Sequence, residues 1–113
     1  MAHDSAMDSG IETALHCHTV CLETINHCLT TGGEHANPDH IKLLQDCAEI
    51  CQTAANFMTR ESALHAEICR TCAEVCERCA ESCEQMPDDE MMRRCAEACR
   101  RCAESCREMS GAA

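Results

Sequence analysis

The sequence predicts an all-α protein, an antiparallel up-and-down four-helix bundle with a core lined by cysteine. Fourteen of its 113 residues are cysteine. Within the two longest runs, successive cysteines lie alternately three and four positions apart, as in Cys69, Cys72, Cys76, Cys79, Cys83. This alternation is typical of the inward-facing seam of a helix in a bundle. Short connections separate these stretches, which favours antiparallel neighbours.

The first helix is predicted over residues 11–31. Ser9 and Glu12 have the spacing of a capping box at its start. The pair Gly32 and Gly33 ends it, because glycine readily adopts the left-handed conformation that follows a helix.

The second helix is predicted over residues 38–57. Asn37 is a suitable N-cap, and Pro38 occupies the first helical position, where a missing N–H group costs nothing. The third helix is predicted over residues 60–85, with Thr59 as its cap.

The fourth helix is predicted over residues 89–109, after Pro87 has ended the third. Acidic residues at its start suit the positive end of the helix dipole, and Gly111 lies just past its end. All four helices together are predicted to form a single domain over residues 1–113.

An internal repeat supports one architecture for all four helices. Residues 72–83 and 95–106 are nearly identical, and the first two helices carry less complete copies in the same register. The stripe departs from cysteine at Thr24, Ala54 and Met58.

The cysteine stripe carries the candidate metal ligands. Two cysteines at i and i+4 lie on one face of a helix, with Cβ atoms about 5–6 Å apart, so that both can bind one soft ion. Six such pairs occur in register. The predicted ligands are Cys17, Cys21, Cys28, Cys47, Cys51, Cys69, Cys72, Cys76, Cys79, Cys83, Cys95, Cys99, Cys102 and Cys106.

Charge favours Cu(I), in multiple ions per chain, over the other ions that thiolates bind. Soft thiolates suit Cu(I), Zn(II) and iron–sulfur clusters. Zn(II) held by four unshared thiolates carries two excess negative charges, which are costly in a dry core, whereas one Cu(I) per thiolate is neutral. Iron–sulfur sites use other cysteine spacings. The pattern therefore predicts a Cu(I) storage or sequestration protein.

Three other interpretations stay open. Buried cysteines can serve as small apolar residues, although a core of cysteine alone would be underpacked. A thiol redox buffer needs exposed thiols of low pKa. A metallothionein-like buffer of zinc or cadmium would use the same ligands. No catalytic triad, phosphate-binding loop or pair of catalytic carboxylates stands out, so an enzyme is not expected.

Composition limits the partners and the compartment. Twenty acidic residues against nine basic ones give a net charge of -11, which disfavours nucleic acid and anionic membranes. No apolar run approaches the roughly 20 residues of a membrane span. Residues 1–10 show no secretory signal, so we expect a reducing cytoplasmic setting without disulfides.

Weaker ligands are predicted at the two ends of the bundle. If the cysteine stripe of each helix is extended by one step, His65, Met58 and Met109 lie at one end of the bundle as possible mouth ligands. His16, His18, His27 and His35 are expected on the solvated surface. The opposite end gathers Met86, Met92, Leu44 and His40 around Cys28, Cys83 and Cys95.

A second apolar stripe accompanies the cysteines of the first helix. It indicates packing between helices or, as we favour, a surface for self-association. The stripe consists of Ile11, Leu15, Leu22, Ile25 and Leu29.

The cysteine motifs of this chain resemble those of the copper storage proteins, in particular their cytosolic bacterial branch. The resemblance rests on the Cys-x3-Cys pairs and on the two blocks that begin Cys-Ala-Glu, at Cys72 and Cys95. It extends from Cys17 to Cys106. It implies a homotetramer of four-helix bundles, each of which holds many Cu(I) ions on inward cysteines with histidine or methionine at one mouth.

Overall fold

Four α-helices make up the fold, with bounds given by a computed structural model that describes residues 4–111. They are α1 (Ser5–Thr31), α2 (Pro38–Thr59), α3 (His65–Cys83) and α4 (Glu90–Ser110). A short 3-10 turn, Gly33–Ala36, lies between α1 and α2. The molecule measures 46 × 24 × 20 Å, so its length is set by the helices. The first three and last two residues of the predicted domain lie outside the described part.

The helices pack around a square in chain order. α1 contacts α2 and α4, and α3 contacts the same two helices, whereas the diagonal pairs share no backbone contact within residues 4–111. Because each connection is short, consecutive helices run antiparallel. The predicted up-and-down four-helix bundle is confirmed, and its core contains the cysteines.

The start of α1 differs from the prediction. The helix begins at Ser5, and Asp4 is its N-cap, with Oδ1 accepting a hydrogen bond from the Met7 N–H at 2.7 Å. The capping box predicted at Ser9 is therefore wrong. Gly10, one residue further along, is buried, so this turn packs on the core and remains helical. The predicted end is confirmed, because Gly32 has a positive φ of 75° and its N–H donates to the Cys28 carbonyl.

The connection between α2 and α3 is longer than predicted. Asn37 and Pro38 begin α2 as expected. However, Thr59 ends α2 instead of capping α3, and five residues, 60–64, connect the two helices, four of them in turns. Glu61 has a positive φ of 55°, which no helix accommodates, and α3 starts only at His65.

The last helix follows the predicted boundaries closely. Asp89 is the N-cap of α4, and its Oδ1 accepts from the Met92 N–H at 3.0 Å. Gly111 ends the helix in the left-handed conformation, with φ of 77°. Between residues 4 and 111, no helix is both long and apolar enough to cross a membrane.

Candidate metal centre

The cysteine stripe lies entirely inside the bundle. Each of the fourteen cysteines is at most 2% exposed, and each is a free thiol. Buried alanines such as Ala54, Ala80 and Ala98 alternate with them and let the helices approach closely. The predicted inward direction of the stripe is thus confirmed, while the role of each thiol as a ligand remains a prediction.

The sulfurs meet across the centre of the bundle, where the backbones do not. Cys47 on α2 and Cys99 on the diagonal helix α4 have Sγ atoms 3.8 Å apart. Cys51 and Cys102 repeat this diagonal contact at 3.7 Å, on the same two helices. Thiols therefore fill the central axis, which leucine and isoleucine would fill in an ordinary bundle.

Ten of the thiols form four overlapping groups along this axis. Within a group, the four Sγ atoms all lie within 4.8 Å of one another. Each group shares two cysteines with the next, so that the groups join into one continuous column. In order, they are Cys51–Cys72–Cys76–Cys102, Cys17–Cys47–Cys51–Cys76, Cys17–Cys21–Cys47–Cys99 and Cys21–Cys79–Cys95–Cys99.

The sulfur separations suit a metal ion. The nearest neighbours in the column, such as Cys47 and Cys76 at 3.7 Å or Cys21 and Cys95 at 4.0 Å, are not bonded to each other. Metal–sulfur bonds of about 2.3 Å place two sulfurs of one ion about 3.8 Å apart in a tetrahedral site and about 4.0 Å apart in a trigonal one. The folded thiols are thus already spaced as ligands of shared ions.

Protonation in the column is uneven. Hydrogen bonds from neighbouring thiols, first of all Cys17, lower the pKa of Cys47, although burial opposes this effect. The pKa of Cys99 is raised by its hydrogen bonds with neighbouring thiols, first of all Cys17, and by burial, which disfavours its thiolate. Neighbouring thiols of the column therefore differ in acidity.

One end of the column, which we call the His40 end, gathers three different soft ligands. Cys28 has its Sγ 3.5 Å from Nε2 of His40, and its thiol donates to Sδ of Met92 at 3.7 Å. Nδ1 of His40 lies 2.7 Å from Oγ of Ser82, which fixes the ring. Burial lowers the pKa of His40, and burial together with the Asp89 carboxylate raises the pKa of Cys28 to about 11.

The opposite end, which we call the His65 end, carries the mouth ligands that the sequence predicts. Met58 is fully buried and Met109 is partly buried. Both reach Gly10, since a Cβ atom there would lie 3.4 Å from each Sδ. His65, the first residue of α3, lies with Nδ1 2.9 Å from the Ser62 carbonyl oxygen, so this nitrogen donates. The two thioethers are brought together, and His65 begins α3 at the same end of the bundle.

Three positions of the seam carry no thiol. Thr24, Ala54 and Met58 are nevertheless fully buried, so the stripe continues through them. The hydroxyl of Thr24 donates to the Val20 carbonyl at 2.7 Å within its own helix. These positions therefore belong to the lining of the core and leave gaps in the row of sulfurs on α1 and α2.

Three histidines that were expected on the solvated surface have protein partners instead. His18 places Nδ1 2.7 Å from the Ala48 carbonyl on α2. His27 and His35 both place Nε2 beside Oδ2 of Asp89, at 2.8 and 3.0 Å. Sequence analysis missed this cluster, because Asp89 lies 62 positions from His27 and no periodic pattern connects them.

Comparison with known proteins agrees with this geometry. A family model described as copper storage protein matches residues 3–111. The Nmul_A1745 protein from Nitrosospira multiformis is 44% identical, with a TM-score of 0.90 over 96% of this chain and 98% of that one. The Cu(I)-bound copper storage protein BsCsp3 is 34% identical, with a TM-score of 0.88 over 94% of this chain and 99% of that one.

Two further relatives are more distant or more partial. A cytosolic copper storage protein from Streptomyces lividans, solved with five coppers, is 28% identical, with a TM-score of 0.82 over 96% of this chain and 94% of that one. The uncharacterized cysteine-rich protein YhjQ of Bacillus subtilis is 36% identical over 66 residues, which are 58% of this chain and 61% of that protein. Because the family model covers nearly the whole chain, as does the fold shared with the solved relatives, this chain belongs to the copper storage protein family.

Proposed function

We propose that this protein stores Cu(I), holding many ions on the thiol column inside one bundle. The observation that carries the proposal is the overlap of the four-thiol groups, each of which shares two cysteines with the next. Shared sulfurs suit bridging between neighbouring ions more than isolated four-thiolate sites. The fourteen cysteines are the ligands, and the whole chain acts as one metal-binding domain.

Charge explains why Cu(I) is the cargo. The column lies in a core without exposed surface, where net charge is costly. Each Cu(I) that replaces one thiol proton leaves the charge of the core unchanged, so that filling proceeds without a build-up of charge. Each Zn(II) held by four thiolates leaves two negative charges uncompensated.

The relatives support both the cargo and the compartment. BsCsp3 is described as Cu(I)-bound, and the Streptomyces lividans protein is described as cytosolic. We place this protein in the cytoplasm by that likeness. We also propose storage without catalysis, since thiols that are all buried keep the ions away from substrates.

We further propose that copper is admitted at the His40 end. There a thiol, an imidazole and a thioether lie within contact of one another, at Cys28, His40 and Met92. A mixed set of this kind binds a soft ion and can pass it to the stronger thiolates of the column. Met58, Met109 and His65 remain the predicted weak ligands of the opposite end.

An anaerobic titration tests storage directly. Reduced protein is titrated with Cu(I) in competition with a chromophoric chelator, while circular dichroism follows the helices. We expect saturation near one Cu(I) per cysteine with helicity unchanged. Saturation at one or two ions, or failure to compete with the chelator, contradicts storage.

A gain of capacity provides a sharper test of where the ions lie. Thr24 is fully buried on the seam, so Thr24→Cys adds a sulfur to the column. Thr30 is on the same helix, makes the same type of hydrogen bond to the carbonyl four residues before it, and is exposed. We expect Thr24→Cys to bind about one more Cu(I) than Thr30→Cys, and equal capacities would contradict storage on the inward column.

The zinc alternative predicts a different stoichiometry. Zn(II) ions that each take four unshared thiolates can fill only two of the four groups at one time, because neighbouring groups share cysteines. A zinc buffer would therefore saturate these ten thiols with about two Zn(II), and Zn(II) would resist displacement by Cu(I). Displacement of Zn(II) by Cu(I) supports copper as the cargo.

The redox alternative requires reagents to reach the thiols. All fourteen are buried, which favours slow labelling of the folded apo protein by a thiol reagent. Fast labelling of several cysteines under native conditions would favour a redox buffer over copper storage.

We also propose that the bundles assemble as homotetramers, as the family resemblance implies. Ile11 and Ile25 pack against the core, whereas Leu15, Leu22 and Leu29 on the same helix are 38%, 49% and 58% exposed. Leu22→Lys should dissociate the tetramer in sedimentation experiments, and Leu64→Lys, at a 56% exposed position elsewhere, should not. A monomeric wild-type protein would contradict the tetramer and leave storage untouched.

A further inference from the structure

A second group of side chains of the types that ligate metals lies outside the thiol column. His27 and His35 place Nε2 2.8 and 3.0 Å from Oδ2 of Asp89. Their side chains are 35%, 20% and 20% exposed for His27, His35 and Asp89, so that the cluster is half-buried and open to solvent on one side. The two imidazole rings are 5.7 Å apart and nearly perpendicular, at 78°.

Three separate elements position these side chains. His27 belongs to the last turns of α1, His35 to the 3-10 turn, and Asp89 caps α4. Oδ1 of Asp89 accepts the Met92 N–H at 3.0 Å, which holds the carboxylate in place and directs Oδ2 at the histidines. A carboxylate oxygen only accepts, so each imidazole donates from Nε2 and both rings compete for one oxygen atom.

We propose that His27, His35 and Asp89 bind one divalent cation, of which Zn²⁺ is the representative. The two Nε2 atoms and Oδ2 all lie within 4.8 Å of one another. Ligands of one tetrahedral Zn²⁺, with bonds of about 2.0 Å, are about 3.3 Å apart, so small rotations of the side chains suffice. To bind the cation, each neutral imidazole presents the lone pair of Nε2 and carries its proton on Nδ1, and water completes the fourth position.

The imidazole and carboxylate ligands of this cluster disfavour Cu(I), the ion proposed for the thiol column. Imidazole and carboxylate suit zinc, divalent copper and nickel, whereas Cu(I) prefers the thiolates nearby. The flanking Asp88 and Glu90 add negative charge beside the site, and the chain as a whole carries a net charge of -11. A cation here would tie α1, the 3-10 turn and α4 together at the His40 end. This site is independent of copper storage, because it uses none of the thiols.

The test uses protein whose thiols are already filled with Cu(I), with the copper content measured first. Calorimetry with Zn²⁺ should then show one ion per chain. His35→Ala removes a ligand, and Asp89→Asn removes the charge but keeps an oxygen for the helix cap. Each should weaken Zn²⁺ binding by at least about 100-fold, since even the loss of an outer partner costs about 10–100-fold. His16→Ala, an exposed histidine of α1, should bind as the wild type does.

Co²⁺ identifies the ligands that are used. Bound at this site, it should give visible absorption bands without the intense near-ultraviolet bands of cobalt–thiolate bonds. The proposal would be overturned by thiolate bands, by an unchanged affinity in His35→Ala, or by no Zn²⁺ uptake in the copper-loaded protein. The cluster would then serve only to hold the three elements together by hydrogen bonds. The copper content of the same sample shows separately whether storage itself holds.

Discussion

The two ends of the bundle offer copper different surroundings, although the same four helices form both. At the His40 end, Cys28 contacts an imidazole and a thioether, and Ser82 holds the imidazole in place. At the His65 end, the thioethers of Met58 and Met109 come together over Gly10. One end therefore combines three types of soft ligand, whereas the other is covered by flexible apolar side chains.

This difference makes the two ends of the bundle distinguishable, although the cysteine pattern repeats on every helix. The thiol seam recurs on all four helices, and thiols reach both ends of the bundle at Cys28 and Cys106, so that their presence alone does not distinguish one end from the other. The residues just beyond the seam do, since they are not repeated. We expect copper to enter where the ligand set changes gradually from weak to strong, at the His40 end.

The largest expected effect comes from the last thiol at each end. Cys28→Ser should slow Cu(I) uptake at least about tenfold, which corresponds to about 1.4 kcal/mol in the barrier. Cys106→Ser, at the His65 end, also removes one thiol. We expect it to lose as much Cu(I) capacity as Cys28→Ser does, but without slower uptake. Stopped-flow mixing with a Cu(I)–chelator complex measures both rates, and equal slowing in the two variants would show that the ends are equivalent.

The helix caps give the next effect, on the stability of the apo protein. Asp89→Ala removes the cap of α4 at the His40 end and should cost about 1 kcal/mol in the free energy of unfolding. Asp4→Ala removes the cap of α1 near the chain terminus, where fraying is tolerated, and should cost less than about 0.5 kcal/mol. Denaturant unfolding compares them, and a larger loss for Asp4→Ala would contradict this ranking.

Asp89 also gives the stability a pH dependence. Hydrogen bonds from His27 first, and then from the Met92 N–H and His35, lower the pKa of Asp89 in the folded state. Its stabilisation is therefore complete above the unfolded value of about 3.9 and is lost as the pH falls through the lowered folded value. Asp89→Asn should remove this acid dependence while keeping the cap, and an unchanged pH profile of unfolding would contradict the assignment.

A smaller effect on uptake is expected from the histidines. His40→Ala should slow Cu(I) loading about threefold, or about 0.7 kcal/mol in the barrier, because Cys28 loses its imidazole neighbour. His65→Ala should leave the rate unchanged, and neither variant should change the final copper content. A slower rate in His65→Ala alone would move the point of uptake to the opposite end.

The smallest effect tests the cover at the His65 end. Gly10→Ala places a Cβ 3.2 Å from Cγ of Met109 and 3.4 Å from Sδ of Met58, so that these flexible side chains must yield slightly. Alanine is the better helix former, and we expect the apo protein to gain about 0.5 kcal/mol. A loss of stability in thermal unfolding would show that the two thioethers are held rigidly, and the contrast between the ends would then be smaller.

Much of the bundle can be predicted because its signals are local in the chain. The alternation of cysteine spacings predicts which face of each helix is buried, and Gly32, Asn37 and Gly111 mark helix ends through their own backbone preferences. The errors arise where packing outweighs those preferences. Ser9 is a suitable cap, but the following Gly10 packs against Met58 and Met109, so the helix continues back to Asp4.

The sequence by itself determined the fold class, the burial of the thiols and the softness of the ligands, because spacing along a helix fixes a face and residue type fixes the chemistry. Only the tertiary structure decided which thiols share a group, which end joins Cys28 to His40 and Met92, and that His27 and His35 meet at Asp89. Those contacts depend on the rotation and register of helices distant in sequence, and no local preference encodes the distance between two such side chains.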